Sequence, residues 1–286
     1  MPLDSSAIRS TCIQHSWCRV FPLLEKDGTP PTRIGSFSGI PLRKMSNENK
    51  KWEFSVGCQT WRHLFFMHWI EDPEHIQKTL PRGLTVDAFE GNAYLGIIPF
   101  SMERVRPRFL PPVPGLSWFL ELNVRTYVRD QHQRQGVYFY SLDCNQPLAV
   151  NIARRAFHLP YQHAEMATNF QGNQMAFSCR RRSSDLTSNY QWQAMGDPAP
   201  AKSDSLEHFL VERYLLFTAH QKSRKILLGR VSHAPYRLTQ ARNFQYCTQP
   251  LKQAGFNINS PPISAIYAEP VNVNIFPLRE VNDRNR

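Results

Sequence analysis

Residues 121–128, "ELNVRTYV", alternate without a slip. Read as a β-strand, they put Glu121, Asn123, Arg125 and Tyr127 on one face and Leu122, Val124, Thr126 and Val128 on the other. A half-buried strand of an antiparallel sheet turns its polar side to water. Four hydrogen-bonding side chains in a row also suit the wall of an enclosed pocket, where a ligand needs a few convergent polar groups. The two readings part on function, because only the second gives the chain a place for a small molecule.

The rest of the chain narrows the choice. At 286 residues it can form one large β-rich domain or two ordinary ones. A composition 41% hydrophobic and 12% aromatic supplies a core and argues against wholesale disorder. The net charge of +11 raises the question of nucleic acid. The basic residues are scattered, however, with one compact run at Arg180, Arg181 and Arg182 and no nucleic-acid motif beside it. Nucleic acid is therefore not the expected partner. A non-catalytic interaction or nucleic-acid-associated protein using its basic surface is the alternative reading.

The 6 cysteines form no C-x-x-C and no zinc-like spacing with histidine, so reduced thiols in a cytoplasmic protein are expected. His63 and His68 are five apart, and His158 and His163 are split by Pro160; neither pair suits a metal. The N-terminus lacks an apolar signal region, and "HLFFMHWI" (63–70) is too short to span a bilayer. Glycosidase-type paired carboxylates, a G-x-S-x-G turn and a phosphate-binding glycine loop are absent. Neither cofactor, metal nor membrane is expected.

Residues 1–50 are dense in Pro, Gly, Ser and charge and read as a poorly ordered leader to a single domain over 51–286. Within that domain, 61–70 reads as one strand. A short helix follows, with Asp72 as cap, Pro73 at its first position and Pro81 and Gly83 closing it. Residues 84–107 give two strands about a turn at 90–92, and a proline-rich loop leads to 121–128 and its partner "GVYFYSLD" (136–143). A helix is expected over 148–157, a hairpin turning at Gly172-Asn173, and a linker at 196–204. A serine-capped helix from 205 then precedes a strand pair over 213–233. Residues 239–255 read as a last helix ending on Gly255, and 265–278 as a closing strand. Many strands, few helices and no βαβ rhythm give an α+β class built on an antiparallel sheet.

The blocks at 60–128, 136–143, 149–166 and 205–217 closely resemble the YqjF-like family of uncharacterised conserved proteins, with coverage from about Trp52 to Leu278. That family is grouped with the acetoacetate decarboxylase-like superfamily. The resemblance implies a strand-rich antiparallel β-barrel with a few short helices, enclosing a small pocket into which Glu121 points. It also implies a reaction, since the decarboxylases attack a keto acid through a lysine whose pKa is lowered by desolvation and a neighbouring cation. Here Tyr161 and Gln162 in "HLPYQHA" (158–164) stand where the paired lysines would, and neither forms an imine. Lys202, Lys222 and Lys225 fall in linkers and turns. Schiff-base decarboxylation is thus not expected.

What remains are groups able to bind a small anionic or oxygenated metabolite. Arg125 can fork onto a carboxylate, and Arg154 or Arg155 can do the same from the helix. Tyr138 and Tyr140 share a face of the partner strand and can wall a cavity; Tyr161 and His163 can donate protons. A space filled by the protein's own side chains, holding nothing, is the competing outcome.

Overall fold

In the computed structural model, which describes residues 54–220 and 223–281, the backbone turns sharply at His63, whose φ of 57° is left-handed. The run expected as one strand is therefore two, β1 (Gly57–Arg62) and β2 (Leu64–Glu71). Asp72 accepts from the Glu74 backbone N–H and Pro73 opens α1 (Pro73–Thr79), as its sequence dictates. Then come β3 (Leu84–Val86), β4 (Ala93–Pro107), β5 (Phe119–Asp130), β6 (Gln135–Cys144) and α2 (Pro147–Ala156). A meander of β7 (Tyr161–Gln171), β8 (Gln174–Arg181) and β9 (Thr187–Pro200) leads to α3 (Leu206–Val211), capped by Ser205. The rest is β10 (Leu215–Ala219), β11 (Ile226–Ser232), β12 (Arg237–Gln245), α4 (Gln249–Gln253), β13 (Ser264–Ala268), β14 (Val271–Ile275) and β15 (Arg279–Glu280).

Further expectations are corrected. The expected linker at 196–204 begins inside β9, whose end pairs with β12 alone, so Pro198 and Pro200 sit where one edge needs no donor. The helix expected over 239–255 is mostly β12, because pairing with β9 and β13 overrides a weak local preference; only α4 is helical. The closing strand is two, β13 and β14, parted at Glu269-Pro270 and paired with different neighbours. The sheet is also not wholly antiparallel, since β6 runs parallel to both β7 and β10.

One topological fact positions the site. Strand β5 lies between β4 and β6, and each of those changes its outer partner halfway along. β4 pairs β2 over its first half and β1 over its second; β6 pairs β10 near its start and β7 near its end. One circuit of hydrogen-bonded strands thus runs β4–β5–β6–β10–β11–β14–β1, and another runs β4–β5–β6–β7–β8–β9–β12–β13–β2. The outer ring of 12 strands is not spaced evenly round an axis, so the architecture is strand-rich without being a regular closed barrel.

The second circuit is filled by its own side chains: Phe65, Trp69, Tyr190 and Trp192 are essentially inaccessible, and Phe65 stacks on Trp192 with ring centroids 4.7 Å apart. The first is not. No helix of the described residues is long and apolar enough to cross a membrane. The expected leader over 1–50 lies outside the described residues, as does Lys222.

Candidate functional site

β5 has no solvated side. Leu122 and Val124 pack into the core of the second circuit, while Glu121, Asn123 and Arg125, 3%, 8% and 9% exposed, face the first. There they line a cavity of about 720 Å³. Its buried end carries these three with Tyr161 and Phe66; its mouth is marked by exposed lining residues, Leu110, Val113 and Leu116 before β5 and Leu148 and Ile152 on α2. The walls are mostly apolar, with Gln59, Arg106 and Arg230 among the few polar residues of the lining.

At one end of the polar row, the Tyr161 hydroxyl donates to Glu121 Oε2 at 2.7 Å. β7 brings Tyr161 there by pairing with the end of β6 (Leu142↔Tyr161). Burial pushes the Glu121 carboxyl up from an ordinary 4.5 to about 7, although hydrogen bonds from Tyr161 and Asn123 favour the charged form. Burial and the adjacent Glu121 charge hold the Tyr161 phenol well above its ordinary value, so Tyr161 stays a donor. Glu121 therefore changes charge near neutral pH inside an apolar enclosure.

At the other end, Arg125 Nη2 donates to the Leu210 carbonyl of α3 at 2.8 Å and to the Tyr127 hydroxyl at 3.3 Å. The Tyr127 hydroxyl in turn donates to Leu210 O at 2.8 Å and lies 2.8 Å from His68 Nε2. With the single hydroxyl proton spent on Leu210, His68 Nε2 is the donor of that contact. Burial and Arg125 hold His68 well below its ordinary pKa, in its neutral form. Gly96 pairs with both His68 and Arg125 across β4 and, lacking a Cβ, leaves their side chains room; a methyl there would sit 3.2 Å from His68 Cδ2.

Arg125 is a buried cation for which no carboxylate partner exists among the described residues, and its Nε is buried with no hydrogen bond. Asn123 Oδ1 is likewise buried and unpartnered. The neighbouring Arg213, also a lining residue, is differently placed: it donates to Asp87 Oδ2 and to Phe209 O, both at 2.7 Å.

The remaining expected residues go elsewhere. Tyr127 shares the polar face but is sealed beneath α3 and does not line the cavity. Tyr138 and Tyr140 do not line it either, because a bulge shifts the β5–β6 register between Val124 and Arg125 and turns Val137 and Phe139 inward, on the same side as Leu142. Tyr140 contacts Thr79 Oγ1 at 2.6 Å and packs on Phe256. Arg155 is exposed on α2, Arg154 Nε is committed to Tyr161 O at 2.7 Å, and His163 is not among the residues lining the cavity. Sequence reasoning missed Phe66 and Arg213; an arginine ahead of the apolar "YLLF" (214–217) is the one signal that pointed to a buried cation.

No lysine lines the cavity among the described residues, and Tyr161 does. No group of His, Cys, Asp and Glu able to hold a metal is found among them.

A strand-rich sheet folded about one mostly apolar cavity places the chain in the acetoacetate decarboxylase-like fold. An acetoacetate decarboxylase-like enzyme from Sphingomonas wittichii RW1 matches with a TM-score of 0.58 at 10% identity, over 80% of this chain and 94% of that one. The acetoacetate decarboxylase of Legionella pneumophila matches at 0.55 and 12%, over 82% and 91%. Within that fold the chain belongs to the DUF2071 family of uncharacterized conserved proteins, which matches residues 58–272. It is 35% identical over 184 residues to the uncharacterized protein YqjF of Bacillus subtilis (strain 168), covering 64% of this chain and 75% of that protein.

Proposed function

We propose that the protein binds a small anionic or oxygenated metabolite in this cavity, with Arg125 holding its negative charge. The strand circuit around it is the counterpart of the pocket-bearing barrel that the fold implies. The observation that carries the reading is the buried guanidinium without a carboxylate partner: desolvating a cation costs several kcal/mol unless something neutralises it, and a bound anion does so. Asn123 Oδ1 adds an acceptor for a hydroxyl or N–H on the same ligand.

Any turnover runs through proton transfer at Glu121, supported by the Tyr161 hydroxyl, rather than through an imine, for which the cavity offers no amine. The thiols of Cys58, Cys144, Cys179 and Cys247 are all free, which suits a reducing cytoplasm. The alternative of a basic nucleic-acid surface draws less support, since Arg180 is paired with Glu165 and Arg181 with Asp143.

Thermal-shift screening against keto acids and related carboxylates tests the reading. A ligand at about a hundred times its Kd adds about 2.7 kcal/mol to the wild type, and Arg125→Ala abolishes that gain. The proposal fails when no acid stabilises the wild type, or when the variant responds equally.

A further inference from the structure

Resting on the reading of an anion at Arg125, we infer that the natural ligand is an amphipathic monocarboxylate: a carboxylate head at Arg125 and an unbranched or aromatic apolar body extending to the mouth between α2 and residues 107–118. Size is the first argument. About 720 Å³ falls within the range of about 300–1,000 Å³ that encloses drug-sized ligands, and a four-carbon keto acid would leave most of it empty.

Chemistry along the cavity is the second. The polar groups of β5 are confined to the buried end, and the walls beyond them are built from Phe100, Met102, Phe119, Phe139 and Leu142. Water in such a space finds few hydrogen-bond partners, whereas a hydrocarbon body loses nothing by entering it. The apolar surface continues outward through Leu110, Val113, Leu116, Leu148 and Ile152, each 45% exposed or more. The loop and α2 that carry these residues are tied together by Gln146 Nε2 donating to Gly115 O at 2.7 Å.

Charge along the β5 row favours a single carboxylate there, although Arg106 and Arg230 also line the cavity. Glu121 lies four residues from Arg125 on the same strand face, roughly 13 Å along the strand at 3.3–3.4 Å per residue. A second carboxylate directed along the polar row would meet Glu121 rather than a cation.

Isothermal titration calorimetry of the full chain with sodium butanoate, hexanoate and octanoate, and with 1-octanol, tests the inference. Each methylene moved from water into the cavity contributes about fourfold in affinity, the fold-change equivalent to about 0.8 kcal/mol, so octanoate binds more than a hundredfold tighter than butanoate. The wild type prefers octanoate to 1-octanol at least tenfold, a comparison that needs no variant. Arg125→Ala lowers octanoate affinity and leaves 1-octanol unchanged. Ala153→Phe, which fills lining space on α2, shifts the preference to shorter acids. Equal affinity for butanoate and octanoate, with butanoate still dependent on Arg125, overturns the apolar body and leaves the anion site standing. Equal affinity for octanoate and octanol overturns the carboxylate head. Failure of every acid, the keto acids included, removes the anion site itself.

Discussion

A single carboxyl carries the pH response of the cavity. Glu121 titrates at about 7 in the folded protein and near its ordinary 4.5 once unfolded and hydrated. The folded state thus binds the proton more tightly, and stability falls as pH rises between those values. Below about 4.5 the group is protonated in both states and costs nothing; above about 7 its full cost is present. At 1.36 kcal/mol per pKa unit the loss is on the order of 3 kcal/mol. Glu121→Gln removes the titration while its amide oxygen still accepts from Tyr161. Urea unfolding at intervals from pH 4.5 to 7.5 should therefore show the variant gaining on the wild type as pH rises, by roughly 3 kcal/mol across the window. Parallel curves for the two proteins would place the Glu121 carboxyl in contact with water. The alternation of 121–128 already put Glu121, Asn123 and Arg125 on one face. Which way that face looked was not legible there, because the answer depends on strands far away in the chain.

Elements set the limits of that legibility. Capped helices were readable because their signals are local: Asp72 before Pro73 and Ser205 before α3 each satisfy an N–H within three residues. The inward face of β6 was not, since a bulge leaves no mark in "GVYFYSLD", and one extra residue exchanges Tyr138 and Tyr140 for Val137 and Phe139 on the face that Leu142 occupies. Strand β12 was misread for a related reason. Its sequence has a weak preference of its own, and neighbours on both sides decide its state. Where two elements approach most closely, a glycine records it. A Cβ on Gly136 of β6 would stand 2.7 Å from both Leu215 O and Phe217 Cε2, at the point where β10 joins in parallel. Phe217 is fully buried and cannot yield, and the carbonyl belongs to the backbone. Gly136→Ala should accordingly cost about 1–3 kcal/mol by denaturant unfolding, the range for overpacking a filled site. An unchanged midpoint would show that β10 can slide away freely, and that the first circuit is looser at this joint than its packing indicates.

For the molecule as a whole, the sharing of β5 between two circuits separates stability from binding along one strand. Leu120, Leu122 and Val124 of β5 belong to a compartment crowded with aromatic rings, and Phe119, Glu121, Asn123 and Arg125 to a compartment left open. Interiors pack near crystal density, so truncating a side chain in the filled compartment creates a void that the surroundings close only in part. Leu122 is fully buried there, whereas its neighbour Asn123 lines the cavity. Leu122→Ala should cost about 2–5 kcal/mol of stability yet keep ligand affinity within about threefold of the wild type, because the backbone of β5 is held on both edges by β4 and β6. Asn123→Ala should do the reverse: it leaves no void in the filled compartment and removes the acceptor offered to the ligand. Calorimetric unfolding and octanoate titration of both variants measure the two axes independently. If Leu122→Ala weakens binding in proportion to its loss of stability, the two compartments are mechanically one, and the shared strand transmits packing changes to the site instead of insulating it.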